Sequence, residues 1–224
     1  MNTSARVVAR ATYLRARLRS PGRARWLLAA IHVRRLRCWS LREFRMYSLS
    51  ASDALTTHEG DDLRRDVIED LRLYRPFTAA DLSEKDFWAQ AMQRLEQGMH
   101  VYTSVTNGLL LHYSWLQDRA KHAGSDFDHE LRIPGPAVVL WDDYTWPSAR
   151  GRGLQTRSIR RRVRDAATAG SRHMFIGVRA DNPVSLHNIE KVGFEHWASG
   201  WAQYRFGCVK RWVTYAHANA TSDV

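Results

Sequence analysis

At 224 residues and 44% hydrophobic, the chain is long enough to bury one sizeable core, and its nine Trp, eight Tyr and seven Phe suit broad sheet faces better than a plain helical bundle. Twelve arginines against one acid, Glu43, fall within residues 1–45 and account for the whole formal net charge of +11, so the basic balance describes an N-terminal arm and does not make the folded body a nucleic-acid binder. Two distant cysteines, Cys38 and Cys208, in no C-x-x-C pair or Cys/His cluster, indicate neither a disulfide framework nor a metal site and predict a reducing cytoplasm, and no run reaches the roughly 18 apolar residues of a membrane-spanning helix.

Residues 5–38 mix arginine with apolar residues and break once at Ser20-Pro21-Gly22, which reads as two short basic amphipathic helices. This arm, residues 1–43, either attaches to an anionic membrane face or packs as a solvated segment on the body; a cleaved targeting segment has the same composition. The body, residues 44–224, opens with a strand over Phe44–Leu49. A helix is expected from Asp61 to Tyr74 on the spacing of Leu63, Val67, Ile68 and Leu71, then a second from an N-cap at Ser83, with Asp86 three residues on, to about Gln97. Met99–Thr106 and Leu109–Leu116 flank Asn107-Gly108 and read as a hairpin. Ala137–Trp146 reads as a central strand, Arg150–Gly153 opens a helix to about Ala169, and His173–Arg179 is a further strand. Pro183–Val192 follows as a short helix, with Phe194–Arg205 and Cys208–His217 as a closing strand pair. The order β-α-α-β-β-β-α-β-α-β-β predicts an α/β (α+β) domain: a mixed, mainly antiparallel twisted sheet flanked by helices.

A strand running through a glycine-rich turn into a helix is an anion site, because the helix's first N–H groups lack partners and lie at the positive end of its dipole. Here the turn is Arg150-Gly151-Arg152-Gly153-Leu154-Gln155, with Arg150, Arg152 and Arg157 as sources of charge-assisted bonds. It lacks the Gly-Lys-Ser/Thr ending of a P-loop and the spacing of a dinucleotide-binding fingerprint. The segment resembles the acetyl-CoA-binding motif of the GNAT acetyltransferase superfamily, Arg/Gln-x-x-Gly-x-Gly/Ala, with Gln155 in place of the last small residue. Asn182-Pro183-Val184-Ser185 followed by Glu190-Lys191-Val192-Gly193-Phe194 resembles the same family's second marker.

The resemblance implies acetyl-CoA or another acyl-CoA as cofactor, its pantetheine lying in a splay between the strand Leu140–Trp146 and the strand His173–Arg179 and pairing with backbone groups of Tyr144 and Thr145. Asn182 and Ser185 would contact that arm; without it they are an N-cap and a helix hydroxyl. It also implies direct attack of an amine on the thioester, which requires a base, a donor to the thioester oxygen and a stabilised leaving thiolate. Asp142 and Asp143 are the base candidates, since adjacent strand side chains face opposite ways and one must meet the cleft; Asp143 is favoured, with His112 and Tyr113 behind it. Ile189 stands where many members have the Tyr that protonates the thiol, leaving His187 as a candidate. Trp141, Tyr144, Trp146, Trp197, Trp201 and Tyr204 build either an acceptor pocket or core. The reading is an acyl-CoA N-acyltransferase acting on a small-molecule amine, such as an amino sugar or membrane-proximal intermediate, with an anionic membrane surface and a homodimer as further partners. Its alternatives are a non-catalytic CoA-binding module and a nucleic-acid-associated protein using the arginine arm.

Overall fold

The computed structural model describes residues 39–54, 62–118, 133, 137–205 and 208–216, so the expected basic helices of residues 5–38 lie outside them. The described residues divide into two compact units, 43–201 with 212–216, and 39–42 with 202–205 and 208–211. In the smaller one the Arg42 guanidinium lies 5.4 Å over the ring of Tyr204. The site described below lies in the larger.

Among the described residues the elements in chain order are β1 (Trp39–Ser50), α1 (Ala51–Ala54), β2 (Arg64–Arg65), α2 (Ile68–Leu71), α3 (Glu84–Glu96), β3 (His100–Thr106), β4 (Leu109–Asp118), β5 (Ala137–Thr145), a 3-10 turn (Pro147–Ala149), α4 (Leu154–Thr168), β6 (His173–Arg179), α5 (Pro183–Lys191), β7 (Glu195–Arg205) and β8 (Cys208–Tyr215). The strands form one sheet in the order β2-β3-β4-β5-β6-β1-β7-β8. Pairings β2–β3, β3–β4, β4–β5 and β6–β1 are antiparallel, and β5–β6 is parallel. The expected mixed, mainly antiparallel sheet is present, and its first strand begins at Trp39 instead of Phe44.

Local chemistry accounts for most boundaries. The Ser83 hydroxyl caps α3 by accepting from Asp86 N, the N-cap read from the sequence, and donates to the Asp86 carboxylate at 2.6 Å. Asn107 and Gly108 both take positive φ, 50° and 73°, which a two-residue hairpin turn requires. One expectation fails: Asp61–Tyr74 is not a helix. Asp66 has φ 55°, its backbone N–H donates to Val101 O, and its carboxylate accepts from Val101 N and meets His100 Nδ1 at 2.8 Å. Pairing with β3 therefore takes the chain through β2 and leaves only the four-residue α2. Helical spacing cannot report such a competitor, because it resides 34 to 35 residues away.

The two faces of the sheet carry separate cores. On one, Ile159, Val163 and Ala166 of α4 and Ile189 of α5 pack with Leu116, Leu140, Met174 and Ile176. On the other, Leu71 and Tyr74 pack with Phe87 and Ala91 of α3 against Val101, Tyr113 and Trp115. Leu140 is fully buried beside Ile176, its partner in the last β5–β6 pair. Leu140→Ala is expected to lower unfolding free energy by about 3 kcal/mol, from lost transfer plus a residual cavity. Urea denaturation measures this, and a loss below about 1 kcal/mol would show that the sheet centre is not packed as described.

Candidate active site

The site grows from an irregularity in β5. Trp115 pairs with Trp141 and Tyr113 with Tyr144, so one β4 residue, Ser114, opposes two on β5, Asp142 and Asp143. This is a β-bulge, and Asp142 sits at φ 50° within it. The extra residue breaks the alternation of faces: Trp141 and Asp142 both turn toward α3, whereas Asp143 turns toward α4.

Each carboxylate meets a buried arginine. Asp142 accepts from Arg94 of α3 at 2.5 Å, and that guanidinium lies 4.3 Å over the ring of Trp141 and 5.0 Å over Trp115. Asp143 accepts from Arg162 of α4 at 2.5 Å. Arg162 is fully buried and also donates to Ser158 O at 3.2 Å and to Trp115 O at 2.8 Å, the latter beside the bulge. Alongside, Ser114 and Ser158 share a 2.6 Å hydrogen bond, and His112 Nδ1 meets Thr145 Oγ1 at 2.8 Å. His112 Nε2 has no hydrogen-bond partner among the described residues and stands 3.9 Å from Asp143. Burial, reinforced by the charges of Arg162 and Arg157, pushes His112 down to about 3, so the ring is neutral. Burial likewise pushes the Asp143 carboxyl up to about 6, against the pull of Arg162. Asp143, favoured as base from the sequence, is thus enclosed with its own counter-ion, while Asp142 borders a cavity.

Beyond the bulge β5 leaves β6. Their register ends at Leu140 with Ile176, and residues 141–145 have no partner there, which is the expected splay. The 3-10 turn and the glycine turn follow. Gly151 and Gly153 have φ 75° and 71°, and open space lies where a Cβ would stand on either. Gly153 is the N-cap of α4 and supplies no side-chain cap, so the first N–H groups of this fifteen-residue helix remain available to an external acceptor. Arg150 Nε donates to Thr145 O at 3.2 Å and Arg152 to Ser148 O, so both arginines fold back along the turn they flank. A diphosphate fits this donor set.

Asn182 caps α5, its Oδ1 accepting from Ser185 N at 3.2 Å, which is the structural role weighed for it. Gln155, which replaces a small residue of the motif, donates to Ser185 Oγ at 3.2 Å and accepts from Asn188 Nδ2 at 2.8 Å. It joins the starts of α4 and α5. His187 is exposed on α5. Leu154 is buried in the first turn of α4.

The aromatic residues weighed as an acceptor pocket or as core are divided. Trp141, Tyr144 and Trp146 pack on the α3-side core, Trp197 packs between Phe175 and Tyr215, and Trp201 stacks on Trp212 at 6.1 Å. The α3 side holds a cavity of about 330 Å³ lined by Tyr74, Asp81, Leu82, Gln90, Arg94, Tyr113, Asp142 and Tyr144. Sequence reasoning missed Arg94 and Arg162. Each lies on the buried stripe of its helix, Arg94 after Phe87 and Ala91, and Arg162 after Leu154 and Ser158. A cation at an apolar spacing was the available signal. Among the described residues, no cluster of His, Cys, Asp or Glu could hold a metal, and no helix is long and apolar enough to cross a membrane.

Arg162→Met is expected to cost about 3–5 kcal/mol in urea denaturation, because Asp143 loses its counter-ion and must stay buried unpaired or take up a proton, and adding Asp143→Asn should recover part of that loss. No recovery in the double variant would disprove the pairing. His112 binds fewer protons folded, near 3, than unfolded, near 6.5. Its contribution is complete above 6.5 and is lost as pH falls toward 3, so the parent should lose stability relative to His112→Gln by up to about 1.4 kcal/mol per pH unit below 6.5. A pH-independent difference between the two proteins would mean that the ring is not buried neutral.

No protein-family model and no curated protein sequence matches the chain. Solved structures do. An acetyltransferase from the GNAT family of Colwellia psychrerythraea superposes with a TM-score of 0.53 at 16% identity, over 75% of this chain and 57% of its own. A GNAT-family protein from Novosphingobium aromaticivorans gives 0.51 at 14% identity, over 80% and 66%. A Drosophila protein gives 0.47 at 17% identity, over 88% and 58%. The chain therefore spans less than two thirds of the length of each of these three. The chain, with its mixed sheet flanked by helices, therefore has a fold similar to that of these two GNAT-family acetyltransferases.

Proposed function

We propose that the chain is an acyl-CoA-dependent N-acyltransferase, with acetyl-CoA or another acyl-CoA as cofactor and a small-molecule amine as acceptor. One observation carries the reading: β5 parts from β6 directly before a turn that presents two left-handed glycines and the uncapped start of α4. The N–H groups of Gly151 to Gln155, with Arg150 and Arg152, would hold the diphosphate. The unpaired edge at Tyr144 and Thr145 suits an extended amide-bearing arm, and Asn182 and Ser185 at the start of α5 would border it.

When bound, an acyl-CoA would supply the acyl carbon, which exchanges its C–S bond for a C–N bond, the thiolate taking up a proton as the amine gives one up. Of the two carboxylates, Asp142 faces the α3-side cavity and suits an arriving ammonium, while Asp143 under the bulge holds Arg162. His187 stays a proposal for the proton return. In this reading the catalytic domain is residues 44–224 extended back through β1. The arm before Trp39 would meet an anionic membrane face in the cytoplasm. The tyrosine walls support an acceptor with a flat or ring-shaped body, and the arm's charge supports a membrane-proximal one.

Titration calorimetry with acetyl-CoA tests the cofactor claim. The parent should bind, and Arg150→Ala with Arg152→Ala should each weaken binding by about tenfold, the scale of one charge-assisted hydrogen bond. S-acetylpantetheine, which lacks the diphosphate, should be indifferent to both changes. Equal losses for the two ligands would refute the diphosphate assignment. Thiol release with candidate amines separates an enzyme from a CoA-binding module without turnover.

A further inference from the structure

The α3-side cavity has a composition that selects among amines. Its volume, about 330 Å³, lies at the small end of ligand sites and suits one ring with a short chain. Tyr74, Tyr113 and Tyr144 form its walls, with Tyr113 and Tyr144 stacked at 5.8 Å and Tyr74 edge-on to Tyr113 at 6.4 Å.

Most of the lining polar groups are already committed. Tyr74 donates to Leu82 O, Arg94 pairs with Asp142, and the Asp81 carboxylate accepts from Phe77 N at 2.8 Å and Thr78 N at 2.7 Å. Those amides, Thr78's first, hold the Asp81 carboxyl below the usual range, so it is charged at neutral pH. Two carboxylates against one guanidinium leave the lining one negative charge in excess. One further group stands out. Tyr113 is only 8% exposed, and its hydroxyl, which hydrogen-bonds to none of the described residues, is not sealed off and can reach a molecule in the cavity. Burial raises it well above the ordinary tyrosine value, so it remains a neutral O–H that can donate to or accept from a bound molecule.

We infer that this cavity takes a small amine with a single positive charge on an aromatic or apolar body, its ammonium beside Asp81 and Asp142 and its ring against the tyrosines, with Tyr113 as the buried hydrogen-bond partner. A sugar ring would bring several hydroxyls that act as donors and acceptors alike, and its polar rim would lie against tyrosine rings that suit an apolar or aromatic body better. A polyamine would bring more positive charge than the one excess carboxylate balances. The inference rests on the acyltransferase reading only for why an amine should arrive there; the binding preference stands on the cavity.

Calorimetric titration of the full chain with tyramine, its neutral analogue 4-hydroxyphenylethanol, glucosamine and spermidine tests it, with acetyl-CoA titrated in parallel. Tyramine should bind at least about tenfold more tightly than the other three, since only it offers both the charge and the ring. Asp81→Asn should reduce that preference over the neutral alcohol by about fivefold, a half-exposed carboxylate's worth, while leaving acetyl-CoA affinity unchanged. Tyr113→Phe, which keeps the ring packing, should weaken tyramine and the alcohol alike, and it serves where Asp81→Asn fails to fold. Equal affinity for tyramine and the alcohol, tighter binding of glucosamine or spermidine, or no binding in the panel would overturn the inference. Acetyl-CoA binding without amine selectivity sinks this inference alone; amine selectivity without acetyl-CoA binding sinks the acyltransferase reading alone.

Discussion

The architecture of the site depends on a fully buried guanidinium. Arg162 fills three hydrogen-bonding roles at once, on its own helix at Ser158 O, on β4 at Trp115 O and on β5 at Asp143. The last two lie on either side of the bulge. An extra residue in β5 leaves local backbone without its ladder partner and puts a carboxylate beneath the sheet, and each would be costly if unmet. Arg162 meets both. A lysine could not, because one ammonium on a flexible stem does not present a planar fork to three acceptors that surround it.

The bulge in turn determines what β5 can do. With Asp142 in a left-handed conformation, the strand bends after Leu140 and cannot continue beside β6. Residues 141–145 keep one edge paired to β4 and leave the other unpaired. An unpaired inner edge in a packed domain needs an explanation, and an extended ligand that completes the ladder is one with few rivals. The same bend delivers the chain through the 3-10 turn to Gly151 and Gly153, so the gap and the anion-binding turn follow from a single local distortion.

Where the sequence was legible, the determinants were local. Ser83 with Asp86, Asn107-Gly108 and the two glycines before α4 are decided within a few residues, and each is found where its spacing puts it. Where it was not, the deciding partner was distant in the chain. Asp66 turns away from helix because β3 offers it Val101 and His100. Asn182 and Gln155 spend their side chains on α5, contacts that no motif spacing reports. The roles of Asp142 and Asp143 were ordered by alternation alone, and alternation is what a bulge cancels. Arg94 and Arg162 were visible as charges on buried stripes, yet composition made arginine look like a property of the arm.

The two faces of the bulge differ in kind, and that difference argues for where chemistry takes place. Toward α4 the polar groups close on one another: Arg162 with Asp143, Ser114 with Ser158, His112 with Thr145, all enclosed. His112 is held neutral there by burial first and then by the guanidinium that pairs with Asp143, so the network carries no net charge to offer a ligand. Toward α3 the arrangement stays open. Arg94 is pinned between two indole faces and answers only one of the two carboxylates that line the cavity, while Tyr113 keeps an unmet hydroxyl. A protein that merely needed to stabilise its bulge would close both faces. Toward α3 the carboxylates and the tyrosine hydroxyls instead remain open to water, so they are free to exchange that water for a ligand, whereas the α4-side groups are not.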